Sequence, residues 1–157
     1  MTPETEAVCD VLVIGSGAGG LAAAVTARKH GLDVLVIEKE PQFGGTTARS
    51  GGWLWIPCNP LMAEEGIADS VDAARTYLQH ETGAHFNAPR VDAYLDSAPK
   101  AIDFFEQNTA VQFDLGLIVA DYHPNAPGGM PGGRSGRGRG RSAGPRPRRA
   151  RASARRA

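Results

Sequence analysis

Residues 10–38 carry one continuous pattern that few folds can accommodate. Asp10-Val11-Leu12-Val13-Ile14 is a short, largely β-branched run, which reads as a buried parallel strand. It stops at Gly15-Ser16-Gly17-Ala18-Gly19-Gly20, a GxGxxG arrangement. The alanine- and leucine-rich stretch from Ala18 to His30 follows as a helix, with Gly31 as its stop. Val34-Leu35-Val36-Ile37 is a second β-branched run, closed by Glu38. Strand, glycine turn, helix, strand and acid together have the length and order of one βαβ unit.

In such a unit each glycine has a separate task. Gly15 permits the tight turn, Gly17 lets a pyrophosphate come close to the backbone, and Gly20 lets the helix pack against the strand. The helix start presents unpaired N–H groups and the positive end of its dipole, which suits an anion. Glu38 ends the second strand 18 residues after Gly20, close to the spacing expected of a carboxylate that accepts hydrogen bonds from a ribose. Gly15, Ser16, Gly17, Ala18, Gly19, Gly20 and Glu38, with Lys39 beside it, are therefore the first candidates for a dinucleotide site. Glu38 would repel the 2′-phosphate of NADP, which leaves FAD or NAD.

Beyond the unit lies a second glycine-rich segment, Gly44-Gly45-Thr46-Thr47-Ala48-Arg49-Ser50-Gly51-Gly52, then Trp53, Trp55 and Pro57. It reads as a loop or short helix, not a strand. Val71, Ala74, Tyr77 and Leu78 follow helical spacing, with Asp69 or Ser70 placed to cap the helix. Pro89 opens another helical pattern, which Pro99 should break or restart with Ser97 as cap. These helices are expected to cover the nucleotide domain. Residues 111–119 have weak strand character, and Asp121-Tyr122-His123-Pro124 leads into turn residues.

The glycines and threonines of residues 44–52 make the pattern specific. With Trp53-Leu54-Trp55-Ile56-Pro57 behind it, the segment resembles the one after the ribose-binding acid in the fumarate reductase and succinate dehydrogenase flavoprotein superfamily. The resemblance is closest to the branch of 3-oxosteroid Δ1-dehydrogenases, and it runs from about residue 9 to about residue 135. It implies FAD as cofactor, with Gly44, Gly45, Thr46, Thr47, Ser50, Gly51 and Gly52 added to its binding residues. Gly45 stands where relatives of the succinate dehydrogenase type have their flavin-linked histidine, so the link would be non-covalent. The resemblance also implies hydride transfer from a steroid substrate to flavin N5 and an active-site role for Tyr122. The principal base and the groups that polarise the ketone occur in that family much later in the chain.

Composition supports an ordinary globular body, with 41% hydrophobic and 22% charged residues. Two cysteines without a CxxC pair speak against a zinc or disulfide framework. A polar, acidic start and glycine-interrupted apolar runs show neither a secretory signal nor a membrane span, so a cytoplasmic location is expected. The zero net charge is sharply divided: all 17 acids precede Arg134, and 10 arginines follow from there on. Residues 134–157 contain only Arg, Gly, Ala, Ser and Pro, a composition expected to be disordered.

The expected class is α/β: a Rossmann-like FAD-binding βαβ unit with flanking helices, incomplete, plus a disordered basic tail. Residues 1–8 form a disordered N-terminus, 9–133 the N-terminal part of the FAD-binding domain, and 134–157 the tail. A reading-frame change after about Ser135 would explain both the tail and the end of the resemblance. On this reading the chain alone is inactive. Two alternatives stand beside it: a related flavoprotein acting on another unsaturated or keto compound, and a protein whose arginine tail binds nucleic acid nonspecifically through phosphates.

Overall fold

The computed structural model describes residues 6–139, which divide into two compact units with the boundary between Trp55 and Ile56. Their elements in chain order are β1 (Val11–Ile14), α1 (Ala18–Lys29), β2 (Val34–Ile37) and β3 (Trp53–Trp55), then α2 (Pro60–Glu64), α3 (Val71–Thr82), α4 (Ala88–Asn108), β4 (Gln112–Leu115) and β5 (Ser135–Arg139).

In the first unit β1 and β2 pair in parallel, from Val11 opposite Val34 to Ile14 opposite Ile37, with α1 as the crossover. The end of α1 is a Schellman motif: the N–H of Gly31 donates to Arg28 O and that of Leu32 to Ala27 O. Gly31 takes φ +87° to allow it. Arg28 and Lys29 in the last turn complement the dipole. The βαβ unit thus has the limits expected of it. Residues 44–52 form a loop with a short 3-10 turn, as expected, and β3 after them is a strand that the sequence reading did not single out. Trp53-Leu54-Trp55 is aromatic and apolar, and such side chains favour the pleated surface once the glycines stop.

Among the described residues of the second unit, all three α-helices begin on a side-chain cap. Asn59 accepts from the Met62 N–H, Ser70 from Ala73 and Asn87 from Arg90. Ser70, not Asp69, caps α3. The expected break at Pro99 does not occur: α4 runs through it for 21 residues, with Ser97 inside. Leu95 and Ile102 are buried on α4, and Ala98 and Phe105 join Ile102 against Ile56, Leu61 and Phe113. That apolar face is continuous across Pro99, and its burial outweighs one missing backbone hydrogen bond. α4 also packs on α3, and no described helix is long and apolar enough to cross a membrane.

The largest correction concerns the start of the presumed tail. Ser135–Arg139 is a strand, antiparallel to β4, with Phe113 opposite Gly138 and Asp114 opposite Arg137. Arg139 also reaches the Asp114 carboxylate at 3.3 Å. Arg134 is fully buried. Its Nε and Nη2 donate to Asp69 Oδ2 and Oδ1 at 2.9 and 2.7 Å, and its Nη1 to Asp121 Oδ2 at 2.9 Å and Gly128 O at 2.8 Å. Backbone bonds from Ile56 N to Arg134 O and from Gly116 N to Ser135 O fix the entry to β5. Glycine and arginine have little strand preference of their own, so these anchors set the conformation. Disorder therefore does not begin at Arg134, and neither Arg134 nor Arg139 is a loose cation. The expectations for residues 1–5 and 140–157 lie outside the described residues.

Candidate dinucleotide-binding site

The site is assembled within the first unit from the glycine turn, the end of β2 and the second glycine segment. Gly15 takes φ +95°, and its N–H donates to Ile37 O at 2.8 Å. A Cβ on Gly20 would overlap the Gly15 carbonyl oxygen, whereas a Cβ on Gly17 would meet nothing within 4 Å. The third glycine is thus demanded by packing inside the chain, and the second borders open space of the kind a pyrophosphate needs. Gly17 is the N-cap of α1; it brings no side-chain cap, and no acid stands in the first turn. Ala18 and Gly19 are exposed. Apart from the Ala18 N–H, which donates to Thr47 Oγ1, the positive helix end is left open to an anion.

Glu38 lies at the end of β2, where the turn reaches it. Its Oε2 accepts from the Ser16 N–H at 2.9 Å and the Ser16 hydroxyl at 2.6 Å, and its Oε1 accepts from the Glu40 N–H at 3.1 Å. These bonds, that of the Ser16 hydroxyl first, hold the carboxyl down to a pKa of about 2. It is ionised at neutral pH, so both of its oxygens only accept, which suits a ribose hydroxyl.

The second glycine segment folds against the first. The Gly44 N–H donates to Ser16 Oγ at 3.0 Å, and the Ala18 N–H to Thr47 Oγ1 at 3.3 Å. Gly44 and Gly45 take positive φ, and a Cβ on Gly45 would come within 3.5 Å of Gly17 Cα. Residues Thr47–Arg49 form a 3-10 turn. The Ser50 hydroxyl donates to Thr47 O and accepts from the Gly52 N–H, so it closes this loop. Gly51 leads into β3 beside the Trp53 ring. Thr46 precedes the turn without a side-chain capping bond. Lys39 is exposed and pairs with Glu40 at 3.7 Å.

The structure therefore brings together Gly15, Ser16, Gly17, Ala18, Gly19, Gly20, Glu38, Gly44, Gly45 and Thr47. The link through Ser16 escaped sequence reasoning, since a serine at a variable position of GxGxxG carries no signal of its own.

Tyr122 belongs to the second unit and is almost wholly exposed, at 97%. Its neighbours hold the loop. Asp121 accepts from Arg134 and from the Met130 N–H, the His123 N–H donates to the Tyr77 hydroxyl, and His123 Nδ1 lies 2.7 Å from Glu81 Oε2. His123 is thus tied into the loop's support. Burial works against the Asp69 carboxylate, but the bonds and charge of Arg134 outweigh it and hold its pKa below the usual range. A groove of about 390 Å3 runs between residues 68–73 and 128–130; none of the candidate cofactor or catalytic residues lines it. Among the described residues no cluster suits a metal ion.

Residues 10–156 match the model of a family described as the FAD binding domain. Over 126 residues the chain is 47% identical to a 3-oxosteroid 1-dehydrogenase of Mycobacterium tuberculosis, covering 80% of this chain and 22% of that protein. It is 46% identical over 127 residues to a 4-oxocyclohex-2-ene-1-carboxylate 5-dehydrogenase of Sinomonas cyclohexanicum, covering 81% of this chain and 21% of the relative. Among solved structures it resembles 3-ketosteroid delta1-dehydrogenase from Sterolibacterium denitrificans in complex with 1,4-androstadiene-3,17-dione. The TM-score is 0.77 at 43% identity, over 83% of this chain and 23% of that one. The chain spans about a fifth of the length of these relatives. With an open Gly17, a packed Gly20 and an ionised Glu38, the residues fit the ADP half of the cofactor that this family binds. The chain belongs to the family of FAD-binding domains.

Proposed function

We propose that this chain supplies the ADP-binding part of an FAD-dependent oxidoreductase of the 3-oxosteroid Δ1-dehydrogenase type. The observation that carries the reading is the coincidence of the cradle formed by Gly17, Glu38 and Gly45 with 47% identity to a 3-oxosteroid 1-dehydrogenase. The adenosine ribose would lie on Glu38, and the pyrophosphate over the amides of residues 15–20 at the open end of α1. Gly44, Gly45, Thr46 and Thr47 would border the cofactor further along, with Gly45 in place of any flavin-linked histidine, so that FAD is held without a covalent bond. Ser50, Gly51 and Gly52 shape that border, and Lys39 takes a solvent-facing place beside it. FAD bound there would supply the hydride acceptor.

Tyr122 is the proposed catalytic residue of this chain. Its phenol is exposed on a loop whose backbone is fastened on both sides, and an exposed group on a fixed loop is placed to meet a substrate. A steroid is the proposed substrate. A smaller cyclic ketone is the second reading, favoured by 46% identity to the oxocyclohexene carboxylate dehydrogenase. The 157 residues alone are proposed to bind the nucleotide without turnover. Nucleic acid is left as a nonspecific partner of the arginines beyond residue 139, and a cytoplasmic setting is part of the same proposal.

The test is a chimera in which residues 10–135 replace the matching stretch of each of these two relatives. The steroid reading expects a flavin-loaded chimera in the steroid enzyme's frame to dehydrogenate a 3-oxosteroid. Tyr122→Phe in it should lower kcat about a hundredfold or more. A flavin-loaded steroid chimera without turnover, beside an active cyclohexene carboxylate chimera, would establish the second reading instead.

A further inference from the structure

Ser16 is fully buried, unlike the exposed Ala18 and Gly19 of the same turn. Its hydroxyl proton is committed to Glu38 Oε2 and its oxygen accepts from the Gly44 N–H. A hydroxyl has one donor to give, so none is left for a phosphate oxygen. Its backbone N–H is committed to the same carboxylate oxygen. Ser16 therefore joins three segments 22 and 28 residues apart in sequence: the phosphate turn, the acid and the second glycine segment.

The count of acceptor directions on Glu38 gives this a consequence. A carboxylate oxygen has two. On Oε2 both are taken by Ser16, while on Oε1 one is taken by Glu40. The Lys39 N–H also faces the carboxyl, as the weakest of its donors, but completes no hydrogen bond to it, so one direction on Oε1 is left. We propose that Ser16 is a positioning residue for nucleotide recognition: it pins Oε2 so that the remaining acceptor on Oε1 is presented to a ribose hydroxyl. The sequence places Ser16 among the cofactor contacts; its bonds make it the clamp behind the contact. The inference rests on the proposed ribose role of Glu38 and deepens it. Without the clamp the carboxylate can rotate about its last side-chain bond, and the energy of fixing it is drawn from ligand binding.

The test uses the 157-residue chain and calorimetric titration with ADP and with 2′,3′-dideoxy-ADP. The unaltered chain should bind ADP about tenfold more tightly, as expected for one hydrogen bond to a charged acceptor. In Ser16→Ala that ratio should fall to about one to threefold, with little loss of affinity for the dideoxy ligand. Ser16→Thr should restore the ratio. Ser16→Cys, a weaker donor, should give an intermediate value and serves as the second variant if alanine prevents folding. Equal loss for both ligands would reduce Ser16 to a merely structural role and overturn the inference. So would a ratio that survives in Ser16→Ala and Ser16→Cys. A ratio near one, or no ADP binding, in the unaltered chain would instead overturn the ribose reading of Glu38, and this inference with it.

Discussion

Each unit contains an anionic centre held by hydrogen bonds, and the two are built to opposite ends. Around Asp69 and Asp121 a fully buried guanidinium meets both carboxylates, and the backbone N–H groups of Cys58, Ser70 and Met130 fill further acceptor positions. That centre is buried, and all four acceptor directions of Asp69 are filled. Around Glu38 the donors are neutral, one acceptor direction is left, and the adjoining helix end is exposed. A saturated centre fixes loops, and an unsaturated one next to open space receives a ligand. By this difference the first unit is read as the nucleotide site and the Arg134 cluster as scaffold.

The largest effect should follow from breaking the saturated centre. Arg134→Met leaves two buried carboxylates without their cation and should destabilise the second unit by about 3–5 kcal/mol. Arg134→Lys should recover only part of this, since an ammonium cannot make the paired bonds to Asp69. Urea unfolding midpoints check both; wild-type stability in Arg134→Met would contradict the scaffold assignment.

A smaller loss should come from crowding the open site. In Gly20→Ala the new methyl meets the Gly15 carbonyl, and overpacking of this kind costs about 1–3 kcal/mol. ADP affinity should fall with it, because the turn must move. An unchanged urea midpoint together with unchanged ADP affinity would show that the helix can shift without disturbing the cradle.

The smallest effect is a titration. The Glu38 carboxyl has its pKa lowered from 4.5 to about 2, chiefly by the Ser16 hydroxyl. Because the bonds favour the ionised form, their contribution is complete above the unfolded pKa of 4.5. It is lost as pH falls from there through about 2. Carboxyl 13C shifts should show a low midpoint, and Ser16→Ala should move it upward. An ordinary midpoint in the unaltered chain would remove the clamp from the account.

The same contrast explains what the sequence could show. The first unit is written in local order: β-branched runs, three glycines at fixed offsets and an acid at the end of β2 specify the βαβ unit without distant information. The scaffold of the second unit is not. Arg134 pairs with Asp69 across 65 residues, and nothing near either residue announces it. Its surroundings even argue the other way, because Ser-Gly-Arg-Gly-Arg has the composition of a disordered segment while its backbone completes a ladder with β4. Pro99 misleads in the same manner: it is a local breaker inside a helix whose buried face extends past it. Local rules failed where tertiary contacts set the outcome.

The central claim is that residues 15–20 and Glu38 hold the ADP half of FAD. Titration of ADP into the 15N-labelled 157-residue chain, followed by amide chemical shifts, tests it most directly. The account predicts saturable shifts centred on Gly17, Ala18 and Gly19, extending to Glu38 and Gly45, and none there in Gly17→Val. Amides of residues 15–20 that stay in place at millimolar ADP, or shifts centred on residues 121–130 instead, would contradict it.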